Sequence, residues 1–179
     1  MQGPVLDASL RIFRAQDAQC YATDLFRESF NAAFPVPRDN ALPVPTPPVN
    51  WRQYVATYRW PGGEEETVGF CNWIRHRDVY LQGGMCVRKN FYRRLPREHF
   101  RECRARGGLA QMMMAAAQRE LDDAVAWFGY CGDPKALAVD LRAGYETTRR
   151  RFVIVKWFRA LPEAERERLI DEVAQIGAF

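Results

Sequence analysis

Arg104-Ala-Arg-Gly-Gly-Leu-Ala110 stands directly before Gln111-Met-Met-Met-Ala-Ala-Ala-Gln-Arg-Glu-Leu121. Leu109, Met112, Met113, Ala116, Ala117 and Leu121 recur at helical spacing, which predicts a helix opened by Gly107 and Gly108. Glycines there let the backbone turn tightly and gather unpaired N–H groups at one point. That end carries the positive pole of the helix dipole and favours phosphate. Arg104 and Arg106 add full positive charges beside it. The stretch therefore points to pyrophosphate binding.

Elsewhere the chain reads as one globular unit. Its 179 residues are 47% hydrophobic and 13% aromatic, enough for a core in a single domain over 1–179. No apolar run approaches the roughly 20 residues of a membrane span. Met1-Gln-Gly-Pro-Val-Leu-Asp does not read as a signal peptide. Five dispersed cysteines (Cys20, Cys71, Cys86, Cys103, Cys131) and two histidines (His76, His99) lack metal-ligand spacing. No metal site is expected, and the cysteines read as small apolar residues in a reducing cytoplasm. The net charge is +4. Arg88, Lys89, Arg93, Arg94, Arg97, Arg101, Arg104 and Arg106 crowd one segment. It is either a solvated face or an anion-facing rim. No nucleic-acid motif accompanies it, so nucleic acid is not an expected partner.

Leu10–Arg14 alternates as a short strand. Asp17 is placed to cap a helix with its stripe at Ala18, Tyr21, Ala22, Leu25, Phe26, Phe30 and Ala33. Residues 35–48 hold six prolines in fourteen positions and read as an extended connector. Gln53–Trp60 and Thr67–Arg75 read as a hairpin across Pro61-Gly-Gly-Glu. Val79–Val87 and Ala124–Cys131 are further strands. Asp133-Pro134 starts a short helix that ends at Gly144. Thr148–Phe158 reads as one last strand, and residues 161–179 as a C-terminal helix with Leu169, Ile170, Val173 and Ile176 inward. The order β-α-β-β-β-α-β-α-β-α predicts an α/β (α+β) fold with a mixed sheet.

Over roughly Leu10–Phe158 the chain resembles the GNAT acyltransferase superfamily. Arg104-Ala-Arg-Gly107-Gly-Leu-Ala110 matches the acyl-CoA signature [Q/R]-x-x-G-x-[G/A]. The family's later pattern N-x-x-A-x-x-L-Y-x-K-x-G-F is met in spacing by Asp133-x-x-Ala136-x-x-Val139-Asp140-x-Arg142-x-Gly144-Tyr145. Ala136 and Gly144 match outright. The resemblance implies helices on both faces of a mixed sheet, with parallel strands 79–87 and 124–131 splaying apart around a pantetheine arm. Met85, Cys86 and Val87 would bond that arm. Arg104, Arg106, Gly107, Gly108, Leu109, Ala110 and Gln111 would hold the pyrophosphate of acetyl-CoA or another acyl-CoA. The implied activity is direct transfer of an acetyl or longer acyl group to an amine. An acyl carrier protein is a second possible donor, given the basic segment, and a homodimer is open.

The departures bear on the chemistry. Asp140 stands where the family often has a tyrosine that protonates the leaving thiolate. An aspartate does this only where burial keeps its proton. Tyr145 can take that role or pack as the family's phenylalanine does. The strand Tyr80–Val87 has no carboxylate for a general base. The stretch between Val87 and Gly107 is long, a loop or helical turn broken at Pro96. These gaps leave a non-catalytic acyl-CoA-binding module as the alternative. Cys86 is either a nucleophile or core, with core favoured because no histidine stands near it in sequence. His76 is expected to be exposed in a turn, and Met112–Met114 to fill core. Trp51, Tyr54, Tyr58, Trp60 and Trp73 either pack the sheet or line a groove.

Overall fold

The computed structural model describes residues 6–34 and 51–179. The proline-rich connector expected at 35–48 lies outside the described residues. The chain runs α1 (Leu6–Ser9), β1 (Leu10–Ala15), α2 (Gln19–Phe30), β2 (Trp51–Arg59), β3 (Glu65–His76), β4 (Val79–Val87), α3 (Phe91–Arg94) and α4 (Arg97–Ala105). It continues through α5 (Leu109–Gln118), β5 (Ala126–Tyr130), α6 (Pro134–Arg142), β6 (Glu146–Thr147), β7 (Val153–Trp157) and α7 (Glu163–Ile176). The strands form one mixed sheet in the order β1-β2-β3-β4-β5-β7-β6. β4 and β5 run parallel from Val79↔Ala126 to Gln82↔Gly129, and the β1–β2, β5–β7 and β6–β7 pairs are antiparallel. Among the described residues no helix is long and apolar enough to cross a membrane.

The chain forms two compact units. One comprises the described residues 6–34 with Gln53–Cys71 and Gly84–Glu120. Here Ala18, Ala22 and Leu25 pack on Val55, Phe70 and Cys86. Adjacent residues of a strand face opposite ways, so Gly69 turns from Phe70 toward α5, where a Cβ would meet Met113 Sδ at 2.7 Å. Helices thus cover both faces of β3 in this unit. Tyr54, Tyr58 and Trp60 are buried, as the sheet-packing alternative requires. Cys71, Cys86 and Cys103 are buried thiols, whereas Cys20 is exposed. Asp17 works one residue ahead of the expected position, its Oδ1 accepting from Gln19 N at 3.0 Å. Tyr21 and Phe30, assigned to the inward stripe of α2, are exposed.

The other unit comprises residues 51–52, Asn72–Gly83 and Leu121–Phe179. Leu169, Ile170 and Val173 of α7 seal Ile74, Val79, Leu81, Ala126, Phe128, Val153 and Val155, each worth about 1.5–3 kcal/mol if fully buried. The strand expected at Thr148–Phe158 is present as β7 only from Val153 to Trp157, and residues 148–152 instead return the chain from β6, which pairs Glu146↔Val155 and Thr147↔Ile154. Nothing in Thr148-Arg-Arg-Arg-Phe152 signals a turn. The reversal is made by Phe152 at φ 68°, its ring 5.6 Å from that of Tyr130. The long stretch after Val87 is two helices, α3 and α4, with Pro96 at the N-cap of α4.

Candidate functional site

Gly107 and Gly108 do more than open α5. Gly107 N donates to Arg104 O at 3.0 Å and Gly108 N to Cys103 O at 2.9 Å. With φ of 85° and 90°, these residues close α4 as the last positions of a Schellman motif. Gly108 has ψ 168°, in the region that essentially only glycine occupies. Arg106 N is likewise held by Glu102 O at 3.1 Å. Leu109 N donates to the Tyr92 hydroxyl at 3.0 Å. Ala110 and Gln111 complete the first turn of α5, whose N–H groups point out of its positive end.

The basic segment divides into two sets. Arg88 pairs with Glu28 at 2.8 Å and Glu66 at 3.2 Å. Arg94 pairs with Glu66 at 2.7 Å and lies 4.0 Å over the Trp60 ring. Arg106 pairs with Asp7 at 2.6 Å and Glu102 at 3.6 Å. Those three build the unit. Lys89, Arg93, Arg97, Arg101 and Arg104 make no ion pair among the described residues. Tyr92, which the sequence reading did not single out, reaches the glycines because Phe91 beside it is fully buried.

Asp140 and Tyr145 come together through a residue that the sequence did not mark. Asp133 caps α6, its Oδ1 accepting from Lys135 N at 2.7 Å and Ala136 N at 2.8 Å. That fixes the helix so that Asp140, 6% exposed, turns inward. Gln82 Nε2 reaches Asp140 Oδ1 at 3.5 Å, and the Tyr145 hydroxyl donates to Gln82 Oε1. Gln82 sits on β4 at the last residue paired with β5, and β4 then runs on to Val87. Burial pushes the Asp140 carboxyl above the ordinary aspartate value, opposed by hydrogen bonds from Cys131 and Gln82. Burial, then the Asp140 charge, pushes the Cys131 thiol up to about 11.

Met85 and Val87 are partly exposed on β4, while Cys86 lies in the core against Phe70. Burial pushes the Cys86 thiol up to about 11, which suits packing and not nucleophilic attack. His76 is not exposed as expected. It ends β3 at 6% exposure, with Nε2 3.0 Å from Glu172 Oε1 on α7. Trp73, also buried, packs on Trp127 with ring centroids 5.1 Å apart.

A mixed sheet whose parallel β4–β5 ladder stops short of the end of β4 defines the architectural class. Within it, the structure is similar to the ribosomal-protein-S18-alanine N-acetyltransferase from Escherichia coli, with TM-score 0.56 at 10% identity over 86% of this chain and 97% of that one. It is also similar to YhhK from E. coli, assigned as an N-acetyl transferase and solved bound to coenzyme A, with TM-score 0.51 at 13% identity over 83% and 98%. No protein-family model matches the sequence, and no curated protein matches it. The fold is that of the GNAT N-acetyltransferases.

Proposed function

We propose that this chain transfers an acetyl or longer acyl group from acyl-CoA directly to an amine. The observation that carries the reading is the parallel β4–β5 ladder ending at Gln82↔Gly129 while β4 continues to Val87, in a fold shared with N-acetyltransferases. Fold analogy supplies the reaction class, and the residues must supply the chemistry.

The first turn of α5 at Ala110 and Gln111 suits an anion, and Arg104 stands near it in sequence without an ion pair among the described residues. We assign the pyrophosphate there, and the pantetheine arm to the backbone of Met85, Cys86 and Val87. Acyl-CoA supplies an activated thioester carbonyl. Asp140 is the proposed acid, because its buried carboxyl keeps a proton to higher pH than an exposed aspartate. Its O–H bond breaks as the proton passes to sulfur, leaving a carboxylate facing Gln82 Nε2. Tyr145 is the weaker candidate, since its hydroxyl hydrogen is already given to Gln82.

The absence of a tyrosine at position 140 favours the second reading, an acyl-CoA-binding module without turnover. Release of free CoA from acetyl-CoA, followed across a panel of amines, separates the two. Amine-dependent release that falls about 10²-fold in kcat in Asp140→Asn, with acetyl-CoA affinity retained, supports the enzyme. Tight binding with no release for any amine supports the module. An acyl carrier protein as donor is tested by substituting an acyl-loaded carrier for acetyl-CoA.

A further inference from the structure

We propose that Gln82 is the positioning residue for Asp140, set in its orientation by Tyr145. The proposal rests on the reading of Asp140 as the acid. An amide side chain can present either its oxygen or its nitrogen to a neighbour, and its partners decide which. Here the Tyr145 hydroxyl, in a side chain 4% exposed, gives its hydrogen to Gln82 Oε1. That fixes the oxygen toward Tyr145 and leaves Nε2 facing Asp140 Oδ1 at 3.5 Å. A side-chain amide nitrogen only donates. Oδ1 is therefore held as an acceptor, and the transferable proton of neutral Asp140 is directed to Oδ2.

The arrangement works in the direction that proton transfer needs. When Oδ2 loses its proton, the new carboxylate already faces the Gln82 N–H and the Cys131 thiol. Gln82 contributes from β4 and Cys131 from the residue after β5, and both favour the ionised form against burial. Asp133 caps the start of the same helix, and Lys156 of β7 gives its ammonium hydrogen to Ala143 O at 2.7 Å. Gln82 thus keeps Asp140 from becoming so weak an acid that it cannot release its proton.

The test is a carbon-detected NMR titration of the side-chain carboxyls in the free protein, with Asp140→Asn identifying the Asp140 signal. In Gln82→Met, which keeps length but lacks the N–H, Asp140 should titrate at higher pH than in wild type. Tyr145→Phe, which frees the amide to turn over, should move it the same way by less. The alkaline limb of kcat for CoA release should move up with it, whereas a merely structural role lowers activity at every pH without moving the limb. An Asp140 titration unchanged in both variants overturns the proposal. Because the titration needs no ligand, a wild type that binds no acetyl-CoA would end the acyl-transfer reading and leave this result standing.

Discussion

The Tyr92 hydroxyl accepts the backbone N–H of Leu109 at 3.0 Å, and a Cβ on Gly108 would lie 3.1 Å from the same oxygen. The side chain thus covers the first donor of α5, one of the backbone groups proposed to face the pyrophosphate. It is carried there by α3, inside the long stretch between Val87 and Gly107.

If phosphate takes the Leu109 N–H, the hydroxyl must leave it. Tyr92→Phe removes that competitor, so calorimetry should show acetyl-CoA binding several-fold tighter. The variant should lose about 0.5–1.5 kcal/mol of stability, the usual net worth of one hydrogen bond. Weaker binding would mean that the hydroxyl itself holds the ligand.

Gly108→Ala should cost about 1–3 kcal/mol by denaturant unfolding, because alanine cannot relax at φ 90° and ψ 168°. Gly62→Ala is the control. A Cβ there meets nothing within 4 Å, and the change should stay within about 0.5 kcal/mol.

Asp140 gives stability a pH signature. Its folded pKa lies above the unfolded value, so the folded state binds the proton more tightly. This contribution is fully present below the unfolded pKa and is lost as pH rises through the folded one. Asp140→Asn does not ionise. Its Tm relative to wild type should therefore increase from pH 4 to pH 8, and a difference flat across that range would contradict the burial argument.

The Asp140 charge also holds the Cys131 thiol up, second to burial. Iodoacetamide labelling at pH 8, read peptide by peptide, should be slow at Cys131 and faster in Asp140→Asn. Labelling of Cys20 serves as the reference. Its thiol is exposed, and its own rise comes from the hydrogen bond to Asp17.

Much of the frame was legible because its signals are local. Asp133-Pro134 and Gly144 bracket α6 with a cap, a first-turn proline and a positive-φ stop at 94°, and β4 runs over the residues its pattern predicted. What stayed hidden depends on distant partners or on strain. Gln82 looks like any strand glutamine until it meets Asp140 and Tyr145, 58 and 63 residues away. The β6–β7 return is made by Phe152 at positive φ, which no turn-forming residue announces. In sequence the glycine pair marks only the beginning of α5, and the carbonyls of Cys103 and Arg104 reveal that it is also the end of α4. Arg88, Arg94 and Arg106 read as free charge until their acidic partners are in place.

The most direct measurement of the central claim is native mass spectrometry of the purified protein with acetyl-CoA, beside the variant Ala110→Asp. Aspartate in the first turn of a helix suits the dipole, so the variant folds, but its charge stands where pyrophosphate is assigned. The account predicts a one-to-one acetyl-CoA complex for wild type and at least about tenfold weaker binding, or 1.4 kcal/mol, for Ala110→Asp. Equal retention of acetyl-CoA by both proteins, or none by wild type, would contradict it.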